Sequence, residues 1–173
     1  MTQTQRGSGR HIVLIGLMGC GKTTVGEILA ARHGREFLDS DRRIETLTGR
    51  TVKQILGDEG VDGLRRHEGD ALLDALRQIE PAVIAAAGGT VLRESLRRAM
   101  IEADAEVVWL NGAPTVLAAR VPSGQHRPWI ETDPEGTLTR MFTEREALYR
   151  QVADRIVAID GLTANQVADL VWK

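Results

Sequence analysis

A glycine-rich segment near the start of the chain limits the possible folds more than any other feature. The segment Gly16-Leu-Met-Gly-Cys-Gly-Lys22-Thr23 follows an apolar, β-rich run, His11–Ile15, and leads into apolar residues at helical spacing. Glycines let successive backbone N–H groups turn inward around a phosphate. A helix that begins there presents its positive end to the same anion. The order of strand, loop and helix therefore predicts a phosphate-binding loop.

Each polar residue of this loop has a chemical role. Lys22 can reach the β- and γ-phosphates of a nucleotide, and the Thr23 hydroxyl can ligate Mg²⁺. Cys20 is interpreted as a small filler rather than a redox switch, although a helix N-terminus can lower the pKa of a thiol. A glycine-rich turn that matched by chance would lack the strand and the helix on either side. The residues predicted to bind ATP are Gly19, Cys20, Gly21, Lys22, Thr23 and Thr24.

Apolar runs and helical patterns alternate along the rest of the chain, which predicts an α/β fold. Buried strands are predicted at 11–15, 36–39, 82–87, 106–110 and 155–159. Helical spacing is present between them, including 92–103, 134–153 and an apolar face that runs from Leu64 to Ile79. Thr51 with Gln54, and Thr163 with Gln166, are candidate capping boxes. The alternation predicts a parallel sheet of five strands covered by helices on both faces.

Composition excludes several classes of function. Aromatic residues make up 3% of the chain and the net charge is −2, which argues against a nucleic-acid-binding module. The single cysteine excludes an internal disulfide and a cysteine-based zinc site. No apolar segment is long enough to span a bilayer. Residues 1–10 are polar, have no apolar signal region and are interpreted as a disordered leader. We therefore expect a cytoplasmic protein, and a monomer because no exposed apolar stripe is evident.

Two carboxylates follow the second predicted strand, in Asp39-Ser-Asp41. Ligands bind at the carboxyl ends of strands in open α/β sheets, so one carboxylate could face a metal and the other an acceptor hydroxyl. A solvated turn with Asp41 as the helix N-cap explains the same residues equally well. The four histidines, at 11, 33, 67 and 126, form no metal-ligand pair and are interpreted as structural or solvent-facing.

Seven motifs, in their order and spacing, resemble those of the shikimate kinase family. The resemblance covers the chain from His11 to Ile159. The motifs are 16–24, 38–45 (LDSDRRIE), 49–55 (GRTVKQI), 65–68 (RRHE), 88–91 (GGTV), Arg127-Pro128 and 145–149 (REALY). The resemblance implies a three-layer P-loop NTPase fold, with a kinase domain at 11–173, a substrate-binding region near 40–68 and a mobile lid near 121–134.

The family pattern also implies roles in binding the nucleotide and the metal. Lys22 and Thr23 resemble the residues that contact phosphate and Mg²⁺. Asp39 resembles the carboxylate that reaches Mg²⁺ through water. Arg127 resembles the lid arginine that covers the reacting phosphates, and Arg120 the arginine that lies against adenine.

A further set of residues is implied to bind the acceptor. Asp41 resembles the residue that accepts a hydrogen bond from the acceptor hydroxyl and acts as its base. Arg65 and Arg145 resemble the pair that clamps the substrate carboxylate, a task suited to planar bidentate donors. Gly88 and Gly89 resemble the turn that approaches the substrate ring. An arginine considered alone is more often an exposed surface residue.

The chain departs from the family pattern mainly on the acceptor side. Ala87 stands where the family has a glycine, and a positive φ there would cost about 1 kcal/mol. Leu56 and Leu64 stand where aromatic residues often line the pocket. The composition of 121–126 is unusual for the lid, and Trp129 replaces a smaller residue.

The resemblance implies an ATP-dependent, Mg²⁺-dependent kinase that phosphorylates a small hydroxylated carboxylic acid, shikimate, to shikimate 3-phosphate. The alternatives are a related kinase for another hydroxy acid or polyol such as gluconate, and a catalytically silent nucleotide-binding paralogue. A nucleoside monophosphate kinase fits less well, because two arginines beside an aspartate suit a carboxylate and hydroxyls better than a base edge.

Overall fold

A parallel sheet of five strands forms the centre of the protein. The computed structural model describes residues 9–121 and 132–173. The strands are β1 (His11–Ile15), β2 (Glu36–Asp39), β3 (Ala82–Ala85), β4 (Ala105–Asn111) and β5 (Arg155–Ala158). Their order across the sheet is β2-β3-β1-β4-β5, and all four pairings are parallel. The predicted α/β fold with a five-stranded parallel sheet is therefore confirmed.

Helices connect the strands and cover the sheet. They are α1 (Lys22–His33), α2 (Ser40–Thr48), α3 (Val52–Leu76), α4 (Glu94–Glu102), α5 (Pro114–Ala118), α6 (Pro134–Val152) and α7 (Ala164–Val171). A 3₁₀ turn at Thr90–Leu92 precedes α4. None of the helices in the described part of the chain is both long enough and apolar enough to cross a bilayer.

The central strands carry continuous apolar runs because both faces of the sheet are covered. Every residue of β1 and of β3 is buried. In the sheet register, Val13 of β1 lies between Ile84 of β3 and Val107 of β4. Since parallel strands end at the same edge, this register places the loop after β1 beside the loop after β3.

The core is mainly aliphatic, as the scarcity of aromatic residues requires. Its largest buried side chains include Trp109, whose ring stacks on Tyr149 at 5.4 Å between centroids. A separate small apolar cluster lies between α2 and α3 and consists of Ile44, Val52, Ile55, Leu64 and Ala71. Leu56 packs against this cluster.

Several predicted boundaries were wrong. The third strand ends at Ala85 rather than at 87, because Ala86 and Ala87 already belong to the loop. The predicted helix 92–103 is a 3₁₀ turn followed by α4. Ile79 is 94% exposed because α3 ends at Leu76, so this isoleucine does not continue the apolar face.

The capping signals in the sequence were confirmed. Thr51 and Gln54 form a reciprocal capping box at the start of α3, and Thr163 and Gln166 do the same at the start of α7. In each case the threonine hydroxyl accepts from the N3 backbone N–H, while the glutamine side chain accepts from the N-cap N–H.

His11 is a buried structural histidine at the start of β1. Its Nδ1 accepts a hydrogen bond from the Ala82 N–H at 3.0 Å, so Nε2 carries the proton and donates to the Gln78 carbonyl at 3.1 Å. The imidazole therefore joins β1 to the turn that leads into β3, where two backbone groups would otherwise lack partners.

We expect His11→Ala to lower the free energy of unfolding by about 1–3 kcal/mol, because it leaves the Ala82 N–H buried without an acceptor. Chemical denaturation monitored by circular dichroism measures this change. The exposed Lys53→Ala on α3 is the control and should change stability by less than about 0.5 kcal/mol. A loss in His11→Ala no larger than in the control would contradict the structural role.

Candidate active site

The loop that joins β1 to α1 lines a cavity of about 530 Å³ at the carboxyl edge of the sheet. Gly21 is the N-cap of α1 and has φ 89° and ψ 19°, a left-handed conformation that glycine adopts without strain. Gly21 has no side chain to cap the helix, and the first turn of α1 contains no acidic residue. The backbone N–H groups and the positive end of the helix dipole are therefore available to an anion.

Lys22 is held against the same loop. Its Nζ donates to the carbonyl oxygens of Gly16 at 2.8 Å and Leu17 at 3.1 Å, and lies 3.6 Å from the Cys20 sulfur. The ammonium therefore lies at the mouth of the loop, where a phosphate would meet it. Cys20 is 2% exposed and belongs to the apolar core, as a small filler would.

Thr23 and Asp39 form an oxygen pair in this cavity. The Thr23 hydroxyl donates to Asp39 Oδ2 at 2.8 Å. The other carboxylate oxygen, Oδ1, accepts from the backbone N–H groups of Asp41 at 3.1 Å and Arg42 at 3.4 Å. Asp39, rather than Asp41, is therefore the N-cap of α2, so the alternative assignment of Asp41 as the cap was wrong.

Hard oxygen donors of this kind suit Mg²⁺, which commonly keeps several waters and takes one or two protein ligands beside substrate phosphates. Within residues 9–121 and 132–173, no three side chains from His, Cys, Asp and Glu gather as an all-protein metal cage. The Thr23 and Asp39 pair thus fits a metal shared with a polyphosphate better than a closed structural site.

Three more predicted residues line the first cavity. Asp41 lies in the first turn of α2, exposed, and Thr24 lies in the first turn of α1. Arg120 follows α5 and lines the cavity together with Leu162, Ala164 and Val167. These three apolar residues come from the segment after β5 and from α7. The motif search missed them, although their position after the last strand is where ligand-binding loops of such sheets occur.

A second cavity of about 550 Å³ adjoins the first, since Met18 and Gly88 line both. It brings together the predicted residues Arg65, Gly88, Gly89 and Arg145. Asp41 is not among its lining residues in the described part of the chain and lies on the phosphate side. The structure therefore separates the predicted base from the predicted carboxylate clamp by the boundary between the cavities.

Arg145 is an almost fully buried arginine on α6. It is 7% exposed, its Nη1 donates to the Gly88 carbonyl at 3.2 Å, and its Nε lies 3.5 Å from a carboxylate oxygen of Glu144. Among the described residues, Nε has no hydrogen-bond acceptor. Arg65, by contrast, is exposed on α3. The two cations thus reach the cavity from different helices.

Tyr149 supports the same backbone carbonyl. Its hydroxyl donates to the Gly88 oxygen at 2.8 Å, and burial raises the pKa of this phenol, so it stays a donor at any ordinary pH. The sequence pattern 145–149 included Tyr149 but gave it no role. One helical turn separates Arg145 from Tyr149, which is why both reach one oxygen.

The remaining acceptor-side predictions had mixed outcomes. Leu64 lines the second cavity as expected, whereas Leu56 packs against the small apolar cluster and is not among the described lining residues. No described residue other than glycine has a positive φ, so Ala87 has none and the conditional strain does not arise. Arg127, Trp129 and lid residues 122–131 lie outside the described residues.

The second cavity also has lining residues that the sequence reasoning did not identify. Their common feature is a helix position facing the glycine turn, on α3 or on α6. They are Val61, Thr137, Arg140, Met141 and Glu144. Glu68, from the 65–68 motif, lines the cavity as well. The spacing of the α6 members, at three or four residues, was the available signal.

Comparisons with known proteins agree with this geometry. The model of the shikimate kinase family matches residues 18–173. A shikimate kinase from Aromatoleum aromaticum is 42% identical over 155 residues, covering 89% of this chain and 86% of its own length. One from Tolumonas auensis is 38% identical over 161 residues, covering 92% of each.

Solved structures agree as well. A shikimate kinase from Acinetobacter baumannii in complex with shikimate superposes with a TM-score of 0.88 at 33% identity, covering 95% of this chain and 92% of that one. A gluconokinase from Sinorhizobium meliloti reaches a TM-score of 0.54 at 23% identity over 95% and 90%, a likeness in fold alone. With a family match across most of its length and close relatives covering nearly all of it, this chain belongs to the shikimate kinase family.

Proposed function

We propose that this protein transfers the γ-phosphate of ATP to the 3-hydroxyl of shikimate, giving shikimate 3-phosphate and ADP. One observation carries the proposal. The cavity at the glycine loop adjoins, at Met18 and Gly88, a cavity lined by three arginines, Arg65, Arg140 and Arg145. A donor phosphate and an acceptor acid bound in the two cavities would meet at that boundary, which is what direct phosphoryl transfer requires.

The nucleotide would occupy the cavity between α1 and α7. The loop N–H groups and Lys22 would hold the β- and γ-phosphates, because they supply donors and positive charge. Lys22 would exchange its bonds to the Gly16 and Leu17 carbonyls for bonds to phosphate oxygens. Arg120 with Leu162 and Val167 offers a cation and an apolar wall, which suit the flat face of adenine. This half of the site therefore favours ATP as co-substrate.

Mg²⁺ would be held by the Thr23 hydroxyl and, through water, by the Asp39 carboxylate. The 2.8 Å hydrogen bond between them keeps both oxygens on one side of the phosphate loop. When bound, the ion neutralises charge on the phosphates. Asp39 is oriented independently of the ion, since its other oxygen accepts two backbone N–H groups of α2.

The acceptor would lie in the second cavity with its carboxylate towards the arginines. Arg145 is fixed by burial and by its bond to the Gly88 carbonyl, whereas Arg65 approaches from α3. Two planar guanidinium groups can share the oxygens of one carboxylate, which gives orientation as well as affinity. The Gly88-Gly89 turn would limit how deeply the ring enters.

With the acceptor so oriented, its hydroxyl oxygen would attack the γ-phosphorus. The bond from that phosphorus to the β–γ bridging oxygen breaks, and the bridging oxygen leaves on ADP. Asp41, on the phosphate side of the boundary, would accept the hydroxyl proton. Lys22 would stabilise charge on the transferring group, so positioning and electrostatics supply most of the rate.

The partners and the cellular location that we propose follow from the same chemistry. Small free metabolites need no extended basic surface, and the net charge of −2 provides none. We propose a monomeric cytoplasmic enzyme that binds neither nucleic acid nor membrane.

The direct test is ADP release by the purified protein with ATP and Mg²⁺, measured with shikimate, with gluconate and without an acceptor. We expect turnover with shikimate alone, and its loss when EDTA removes the metal. Turnover with gluconate alone would assign a different acceptor. Binding of ATP without acceptor-dependent ADP release would instead identify a silent paralogue.

We expect Lys22→Ala to lower kcat by about a hundredfold or more, because it removes the ammonium at the glycine loop that would stabilise charge on the transferring phosphate. The same coupled assay measures it. Lys53→Ala, an exposed lysine on α3, is the matched control and should retain wild-type turnover. A kcat within about threefold of wild type in Lys22→Ala would refute the assignment.

We expect Arg65→Ala to raise the KM for shikimate by about tenfold to a hundredfold and to leave the KM for ATP nearly unchanged, because only acceptor binding loses a charged hydrogen bond. Steady-state kinetics in both substrates measure this split. Arg98→Ala removes an exposed arginine paired with Glu94 and serves as control. Normal use of shikimate by Arg65→Ala would show that Arg65 does not clamp the acceptor.

A further inference from the structure

Helix α3 is bent where its first part meets the part that carries Arg65. Gly60 has φ 68° and ψ −169°, a conformation open almost only to glycine, and it interrupts the helical backbone between Glu59 and Val61. The first part packs on α2 through Val52 and Ile55. Leu64 and Ala71 of the second part belong to the same apolar cluster. The second part lines the acceptor cavity with Val61, Leu64 and Arg65. The bend therefore determines the direction from which the Arg65 side chain reaches the second cavity.

A single carboxylate spans this bend. Glu59 accepts from Arg50 Nη1 at 2.6 Å on the side of the first part. Its oxygens also lie 3.2 and 3.3 Å from His67 Nε2 and 3.4 Å from Arg66 Nη2, both on the second part. In a straight helix, residues eight apart are separated by about 12 Å of rise, beyond the reach of a glutamate and a histidine. The contact with His67 therefore depends on the bend.

The absence of a side chain at Gly63 leaves room for the Glu59 side chain next to the bend. A Cβ built on Gly63 would lie 2.2 Å from Glu59 Cβ and 2.9 Å from its Oε2. On a regular helix, Cβ atoms four residues apart are about 5–6 Å apart. The Glu59 side chain thus occupies the space that a side chain at position 63 would fill.

Arg50 lies in the turn between α2 and α3 and is held at both its backbone and its guanidinium group. Its backbone N–H donates to Thr48 Oγ1 at 3.1 Å, and its second guanidinium nitrogen bonds Asp58 at 2.8 Å. Hydrogen bonds from Arg50 and then from His67 lower the pKa of Glu59, so the carboxylate is ionised at neutral pH. Glu59 therefore connects Arg50, before the bend, to Arg66 and His67, after the bend. We call this set of contacts the brace.

We propose that Glu59 is a positioning residue for the acceptor, which fixes the angle of α3 through Arg50, Arg66 and His67 and so places Arg65 at the second cavity. The proposal rests on the proposed function in one respect, the role of Arg65 as a carboxylate clamp. Neighbouring residues 65 and 68 line the cavity while 66 and 67 hold the brace, so one turn of helix serves both.

The test is Glu59→Gln, which keeps the size of the side chain and removes its charge. We expect the KM for shikimate to rise about five- to tenfold while the KM for ATP changes less than about twofold, because the effect is confined to the acceptor cavity. Glu94→Gln, in an exposed pair with Arg98, is the matched control and should behave as wild type. Unchanged KM for shikimate, or equal rises for both substrates, would overturn the proposal.

A double-mutant cycle separates the brace from general loss of stability. Arg50→Ala and Glu59→Ala remove the same contact, so their effects on the KM for shikimate should not add. Additive effects would overturn the brace. Thermal unfolding monitors folding, and if the alanine variants unfold, Arg50→Lys with Glu59→Gln gives the same cycle with milder changes.

A measurement without substrate distinguishes this proposal from the proposed function. Amide hydrogen exchange across residues 61–68 should be faster in Glu59→Gln than in Glu94→Gln, because the second part of α3 loses its brace. Faster exchange with no turnover of shikimate by the wild type would retain the brace and reject the function. Turnover by the wild type with equal exchange in the two variants would reject the brace alone.

Discussion

The central position of β1 in a wholly parallel sheet is the constraint on which the rest of the site depends. β1 lies between β3 and β4. Because β1 and β3 are parallel neighbours, the loops that follow them begin side by side at the carboxyl edge of the sheet. The Ala86 N–H still donates to the Leu14 carbonyl at 3.0 Å, so the two chains stay paired until the loops begin. The phosphate loop and the Gly88-Gly89 turn thereby become neighbours, and the two cavities share a wall.

That shared wall is stabilised from a third direction by α6. The Gly88 carbonyl accepts from both Arg145 and Tyr149, at 3.2 and 2.8 Å. Tyr149 also stacks on Trp109 of β4, so the turn is tied to the sheet through a buried aromatic pair. An arginine held in this way loses little side-chain conformational entropy when a carboxylate binds, because the fold has already immobilised the side chain. Arg65 has no comparable burial, and its placement depends on the geometry of α3.

The sequence predicted the sheet and the phosphate side well because their signals are local. A glycine loop between an apolar strand and a helix involves contiguous residues, and the Thr51 and Thr163 capping boxes involve four residues each. The failures occurred where the outcome depends on distant contacts. Ile79 fitted the helical period but followed the end of α3, and Leu56 matched a pocket position but turned towards the α2 cluster. The bend at Gly60 was also missed, because glycines within a helical pattern are often tolerated and do not by themselves locate a break.

Recognition of a small acid by a chain with a net charge of −2 requires local rather than global electrostatics. A broad positive surface would attract any polyanion, whereas an arginine buried beside a glycine carbonyl selects by shape and distance. Leu64 in place of an aromatic residue removes stacking area but leaves the guanidinium groups of Arg65 and Arg145 at the cavity. Ala87 adopts no left-handed conformation, so it does not strain the glycine turn that follows it. The acceptor-side departures therefore alter the apolar lining of the cavity and spare the charged groups, and the charged groups are what distinguish a carboxylate from a neutral polyol of similar size.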